Sequence, residues 1–351
     1  MSKIRVGVIF GGASSEYEVS LKSACSILAN LDNGKYDVIK IGITRKGQWL
    51  RYYGEIERIE DDTWYLEDSC NQILISPNKM DSEIIEIKND IFIRRKVDII
   101  FPVLHGKNGE DGSIQGIFEV AGIPYVGCNV VSSSICMDKD YAHKIVDKEG
   151  FRVPKNLVIN SEVDTEKISE FLMNMDFPIY VKPANEGSSI GITKASNKDE
   201  SFTGIGEAFK YDNKVVLEEN IDGFEVGCAV IGNDDLIVGT VDEIEFSGWL
   251  FDYKEKYTLI HSKIHLPARI DRALTEKIKK TAIGIYRALG CTGLARVDMF
   301  LDKNNNIIFN EVNTMPGFTT GSRFPNMLLH SGMKYKDMLD KLIELGLERK
   351  Q

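Results

Sequence analysis

Residues 295–317 read ARVDMFLDKNNNIIFNEVNTMPG, and the pattern of this stretch decides how the rest of the chain is read. Apolar runs at 294–301 and 307–312 flank Asp302-Lys303-Asn304-Asn305-Asn306, a cluster that favours a tight hairpin turn because Asn tolerates φ > 0. With Asn304-Asn305 as the turn pair, antiparallel pairing sets Asp298 opposite Glu311 and Arg296 opposite Asn313. Side chains alternate along a strand, so these four share one face. Val297, Met299 and Leu301 then pack with Ile308 and Val312 on the other. Two carboxylates directly opposite each other repel unless something positive lies between them. Asp298, Glu311 and Asn313 offer the oxygen donors that suit Mg²⁺, which completes its shell with water and phosphate. A solvated edge hairpin with its charges on the wet face accounts for the spacing equally well.

The 351 residues suggest two or three domains, and 43% hydrophobic content is that of a soluble globular chain. No apolar stretch is long enough to span a membrane. The opening MSKIRVGVIFGG runs straight into a β-branched strand, so the chain is expected to be cytoplasmic. Six scattered cysteines without a CxxC pair point to reduced thiols. A net charge of -10 argues against a nucleic-acid partner, and any anionic ligand needs a local positive site.

The first third alternates strand and helix. Residues 4–10 form a buried strand ending in Gly11-Gly12, and 16–31 have helical spacing. A strand–glycine–helix junction is where open α/β sheets bind ligands, and Glu16 lies at its rim. Further strands are expected at 36–44 and 97–104. The latter runs into HGKNGEDGSIQG, residues 105–116, a loop whose glycines let backbone approach a ligand, followed by a helix at 114–121. Residues 49–95 read as an irregular, charged, peripheral hairpin region.

A boundary falls near 127–137. Helices at 138–149 and 164–175 are followed by strand 178–183, the loop Ala184-Asn185-Glu186-Gly187-Ser188-Ser189, and strand 190–194. Such a loop can fold over phosphates, and Lys182 beside it adds a phosphate-seeking charge. No P-loop sequence occurs. Farther on, a strand delivers Glu218 to its end with Glu225 beyond a turn, a pair that could hold ribose hydroxyls or an adenine amino group. Strands at 226–231 and 236–241 precede a long loop, 242–265, and a helix at 274–289 leads back to the hairpin.

GGASSEYEVSL, HGKNGEDGSIQG, VKPANEGSSIG, the EKY of the long loop and NEVNTMPG occur together and in order over essentially the whole chain. In this combination the sequence resembles the D-alanine–D-alanine ligase family of ATP-grasp enzymes. The resemblance implies an α/β and α+β architecture: an ATP-grasp fold with an N-terminal Rossmann-like domain (1–128), a central ATP-grasp domain (129–219) and a C-terminal one (220–351) carrying the mobile loop and magnesium hairpin.

Carried over by position, Glu16 resembles the acid that binds the amino group of the first D-alanine, with His105 and Glu110 in the same substrate region. Lys139 and Lys182 match the lysines on the phosphates of ATP, and Glu218 and Glu225 the acids on adenine and ribose. Ser188 matches the serine that links Glu16 to the mobile-loop tyrosine, here Tyr257, next to Lys256. Asp298, Glu311 and Asn313 match the ligands of two Mg²⁺ ions, for which Mn²⁺ can substitute. Arg296 and the backbone N–H of Gly317 match the groups that steady a tetrahedral intermediate. A homodimer is also implied.

One departure bears on the second substrate. Family members that make D-alanyl-D-alanine usually carry Leu or Met after the serine of the segment following NTMPG, whereas Ser322 here precedes Arg323. In this the chain resembles the vancomycin-resistance ligases, and its retention of Lys256-Tyr257 sets it apart from those that make the D-lactate ester. The expectation is D-alanine ligated to D-serine, with Asp242 orienting Arg323 or accepting from the hydroxyl. The alternatives are a housekeeping D-alanine–D-alanine ligase, another ATP-grasp ligase or carboxylase, and a non-catalytic nucleotide-binding regulator. The group that deprotonates the attacking amine is left open.

Overall fold

A computed structural model describes residues 2–66, 70–79, 82–160, 165–246 and 262–349. Three sheets follow one another along the chain. In the first, Ile4–Gly11 lies between Tyr36–Ile43 and Ile99–Pro102, parallel to both. Buried on both faces, these strands read as continuous apolar runs. A Cβ on Gly11 would stand 2.1 Å from the Ile43 carbonyl oxygen, so only glycine lets the chain leave the strand there and enter helix Tyr17–Asn30. Glu16 occupies the N-cap position of that helix.

Residues 49–95 differ from the irregular region expected. Trp49–Tyr52, Cys70–Ile75, Glu83–Lys88 and Ile91–Lys96 extend the parallel strands as an antiparallel run, giving seven strands in one sheet. Only scattered positions such as Leu50, Ile73 and Ile84 are buried, and charged side chains on the outer face mask the alternation.

The second sheet is antiparallel, in the order Thr193–Ala195, Ile179–Pro183, Lys214–Glu219, Asn156–Asn160. Helices Thr165–Met173 and Lys198–Ala208 belong to this part, and Ile168, Leu172 and Ile205 pack with Val181 and Leu217 in its core. The third sheet runs Ser262–His265, Asp242–Phe246, Gly223–Gly232, Gly293–Asp302, Ile307–Asn313, with the short Ile237–Val238 also on Gly223–Gly232. The stretch 242–265 is therefore not all loop, because both of its ends are paired strands.

Alternation along the third sheet serves two cores. Val226, Cys228, Val297 and Met299 pack against helix Arg272–Ala288 through Ile278, Ala282 and Ile285. Ala229, Ile231 and Leu294 pack instead with helices Arg323–His330 and Tyr335–Glu348, in a core that also takes in Val6, Val8 and Phe101 of the first sheet.

The expected cross-strand pairs, Asp298 with Glu311 and Arg296 with Asn313, are present. The route to them differs from the two-residue turn. The hairpin closes through Lys303, Asn304 and Asn305, with Asn305 at φ 60° and Asp302 N–H donating to the Asn306 carbonyl. Leu301 therefore faces Ile307, and Met299 faces Phe309. A β-bulge at Asn310, the one residue without a partner across the ladder, then restores the register. One consequence is a correction: Phe309, not Ile308, joins Val297, Met299 and Val312 in the core, and Ile308 pairs with Phe300 on the opposite face.

Candidate active site

Four strands of the third sheet bring Asp242, Gly227, Asp298 and Glu311 into one cross-strand row. Gly227 opens a gap in this row, and the guanidinium of Arg323 fills it: a Cβ there would lie 2.2 Å from Arg323 Nη2. Arg323 Nε and Nη2 each donate to Asp242 at 2.8 Å, while Nη1 donates to Glu225 at 2.7 Å and lies 3.4 Å from Asp298. Burial works against the arginine's charge, but Asp242 and Asp298 outweigh it and hold its pKa far above the usual range. Arg296, two residues earlier on the same strand, grips Asp298 with Nη2 at 2.6 Å. Asn313 reaches both acids through its amide, at 3.0 Å from Asp298 and 3.4 Å from Glu311.

These donors fit a divalent cation. The Asn313 amide already spans the two carboxylates, and which of its ends is oxygen is an assignment that a flip reverses. Among the described residues no group of three or more His, Cys, Asp or Glu side chains is disposed to hold a metal. Two acids and one amide leave most of a coordination shell to water and phosphate, as Mg²⁺ prefers.

Glu16 faces this row from the N-terminal sheet. Its carboxylate accepts a hydrogen bond from Ser188 Oγ in the glycine–serine loop, where Ser188 and Ser189 are held at φ 52° and 60°. A Cβ on Gly106 would stand 2.6 Å from Glu16 Oε2, so the glycine of HGKNGEDG lets that loop close on the acid. His105 Nδ1 donates to the Met315 carbonyl at 2.7 Å, and its Nε2 lies 3.3 Å from Ser23 Oγ, which accepts from Phe318 N–H. These partners select the neutral Nδ1–H ring, and burial lowers its pKa against the pull of Glu16. Glu110 accepts from the N–H groups of Gly106 and Met315 at 2.7 and 3.1 Å, strapping the loop to the segment after the hairpin. Desolvation, with the charge of Glu16, pushes its carboxyl up to about 8.

A cleft of about 580 Å³ between the second and third sheets is lined by Lys139, Lys182, Glu218, Glu225, Asp298 and Glu311 among others. A smaller hollow beside it is lined by Glu16, Glu110 and Asn313 and shares Lys139, Ser188 and Glu311 with the cleft. Lys182 pairs with Glu218 Oε2 at 2.5 Å, and Lys139 donates to the Glu186 carbonyl at 2.6 Å. Burial opposes the Glu218 charge, and Lys182 more than offsets it, so this carboxyl titrates below the usual range. Behind Glu218 stands His143, 2% exposed, whose Nδ1 is 3.7 Å from Glu218 Oε1; neither atom has a hydrogen-bond partner.

Of the sequence-predicted residues, Glu16, Glu110, Lys139, Lys182, Ser188, Glu218, Glu225, Asp298, Glu311 and Asn313 line the cleft and the hollow, while Arg296 and Arg323 stand behind them on Asp298 and Glu225, and Asp242 behind Arg323. Ser322 binds Thr319 through its Oγ, and a Cβ on Gly317 would lie 2.8 Å from that oxygen. Lys256 and Tyr257 lie outside the described residues. More of the Arg323 fork is taken by protein acids than its expected role toward a hydroxyl implied. Sequence reasoning missed His143, Ser23 and the glycine at 227. His143 falls one helical turn after Lys139 in Lys139–Lys148, a spacing that puts both on one face but marks a core histidine just as well.

Known proteins share this fold. Over 98% of this chain and 100% of the other, the fold superposes on the VanG D-Ala:D-Ser ligase from Enterococcus faecalis with a TM-score of 0.92 and 50% identity. It superposes on the D-alanine–D-alanine ligase of Coxiella burnetii with a TM-score of 0.87 at 31% identity, over 99% and 95% of the two chains. The fold is accordingly the mixed α/β ATP-grasp fold. Residues 5–128 match the family described as D-ala D-ala ligase N-terminus, and 145–344 its C-terminus. The D-alanine–D-alanine ligase of Caldicellulosiruptor bescii is 43% identical over 99% of this chain and 96% of its own, and the vancomycin B-type resistance protein VanB of E. faecalis 42% over 99% and 100%. The chain belongs to the D-alanine–D-alanine ligase family, and it is an ATP-dependent D-amino acid ligase.

Proposed function

We propose that the chain joins D-alanine to D-serine through a D-alanyl phosphate, supplying peptidoglycan precursors of the vancomycin-resistant kind. A carboxylate is a poor acyl donor, and transfer of the ATP γ-phosphoryl group to the first D-alanine makes it a good one. Lys139 and Lys182 lie along the cleft where they would neutralise phosphate charge. Magnesium, as two ions or with Mn²⁺ in its place, would be held by Asp298, Glu311 and Asn313 and would supply further neutralisation at the phosphate oxygens. Glu16, steadied by Ser188, orients the amino group of the first substrate. Arg296, with the N–H of Gly317, stabilises the oxyanion formed when the second amine attacks, a role whose loss costs on the order of 10²–10³ in rate. Closure of the segment bearing Lys256 and Tyr257 keeps water from the acyl phosphate.

The observation that carries the choice of D-serine is the buried pair of Arg323 and Asp242. Asp242 and Glu225 take three of the five N–H groups of Arg323, so the guanidinium keeps donors that a hydroxyl can accept. A pocket that bonds a hydroxyl discriminates against the analogue lacking it, by about 1–3 kcal/mol per group. The 50% identity to a D-Ala:D-Ser ligase supports the same reading. D-alanyl-D-alanine synthesis is the second reading, favoured by the relatives of that name. A competition assay, with D-alanine first and D-alanine, D-serine or D-lactate second, decides between them when repeated on Arg323→Met. A kcat/KM favouring D-alanine at the second position, or a ratio unchanged in the variant, rules out the D-serine assignment.

We further propose a division at 128 and 219, supported by strands that fall within 4–102, 156–219 and 223–313, and a cytoplasmic homodimer. No described helix is long and apolar enough to cross a membrane.

A further inference from the structure

The geometry points to His143 as a positioning residue for the Asp298–Glu311 pair: we propose that it fixes the β-bulge which turns Glu311 onto the face of Asp298. This rests on the magnesium role proposed for those acids.

Without the bulge, the register set by the turn would place Asn310 opposite Asp298 and turn Glu311 to the other side of the strand. A bulge leaves its extra residue unpaired in the ladder, and a buried backbone carbonyl without a partner is costly. His143 supplies that partner. Its Nε2 lies 3.2 Å from the Asn310 carbonyl oxygen, which can only accept, so the ring carries its proton on Nε2 and donates. The ring also stands edge-on to Phe309, the residue before the bulge, with centroids 5.5 Å apart. Its opposite edge faces Glu218. One side chain thus touches both the bulge that orients a metal acid and a carboxylate of the nucleotide cleft. Groups that orient a ligand from behind typically contribute about 10–100-fold to metal affinity.

The test compares His143→Leu, similar in bulk but without a donor, with His143→Gln, whose amide N–H reaches the height of Nε2. Two quantities are read: the Mg²⁺ concentration for half-maximal turnover at saturating ATP, and Mn²⁺ affinity of the ADP-bound protein by calorimetry. The leucine variant is expected to need about tenfold more of either ion. Glutamine should restore both to within about threefold, with KM for D-alanine unchanged in both variants. If the leucine variant does not fold, His143→Asn, polar but too short to reach Asn310, is expected to show the same loss. Glu311→Ala separates the two layers of the argument, since turnover surviving in it removes the magnesium role itself. Lost turnover in Glu311→Ala beside normal ion dependence in the leucine or asparagine variant overturns the positioning role, as does a glutamine variant no better than leucine.

Discussion

Ser188 and Glu16, 172 positions apart in sequence, share a hydrogen bond that joins the glycine–serine loop to the first helix of the N-terminal sheet. The serine pays for this contact with a left-handed backbone, φ 52°. Ser188→Ala and Glu16→Gln should each lower kcat/KM by roughly tenfold or more, the effect of losing a hydrogen bond to a charged group. Because the two act as one unit, the double variant should be little worse than the worse single one. Additive losses in a double-mutant cycle would show that the contact plays no part in turnover.

Removing the carboxylate of either Asp298 or Glu311 should abolish turnover, but with different effects on stability. Asp298 is 1% exposed and neutralises Arg296 and Arg323, so Asp298→Ala leaves two buried guanidinium groups short of a partner. Loss of about 3–5 kcal/mol is expected in denaturant unfolding. Glu311→Ala, at a half-buried position near the strand end, should unfold close to wild type.

Gly227→Ala adds a single methyl group where Arg323, Asp242 and Asp298 converge. The guanidinium must leave its position, and about 1–3 kcal/mol of stability should go with it. Since the cluster also contains Asp298, turnover should fall. Wild-type unfolding and activity in this variant would show that the arginine has another place to go.

Glu110 sets a pH dependence. Its carboxyl titrates near 8, above the ordinary carboxylate value of 4.5, so the native state holds the proton more tightly than the unfolded chain. The stability this confers is fully present below about pH 4.5 and is lost as pH rises through 8. Glu110→Gln removes the titration. The Tm of the variant relative to wild type should therefore climb between pH 5.5 and 8.5 by a few degrees, and a flat difference would contradict the raised pKa.

The hairpin shows how far sequence reading went. Alternation and the asparagine-rich turn were sufficient to pair Asp298 with Glu311, yet the pairing is reached through a longer turn compensated by a bulge. Neither has a local signature here, because a bulge is stabilised by what packs on it, and His143 comes from a helix 167 residues away. The place of Glu16, Lys182 and Ser188 at the cleft and hollow was legible because strand–loop junctions gather at such openings. The Arg323 cluster was legible only in part: Asp242 could be named as its partner, whereas the gap at Gly227 depends on the register of three strands. The peripheral hairpins of residues 49–95 were legible, but not their regular pairing into the first sheet, because charged residues on the exposed face hid strands that bury little.

The apolar packing of the molecule also says which part can swing. The N-terminal sheet and the C-terminal helices share one core, stitched by Phe101 against Phe318 and by Tyr36 to Asp340. The four-stranded sheet has a core of its own, formed among residues 157–217. Its ties to the remainder include Ser188 to Glu16, Lys139 to the Glu186 carbonyl and Lys214 to Asp138, polar contacts that water can replace at small cost. Mechanically, this sheet is a jaw that closes on an anvil built from both ends of the chain. Moving the jaw alone would widen the cleft between them without disturbing the row of acids set in the anvil.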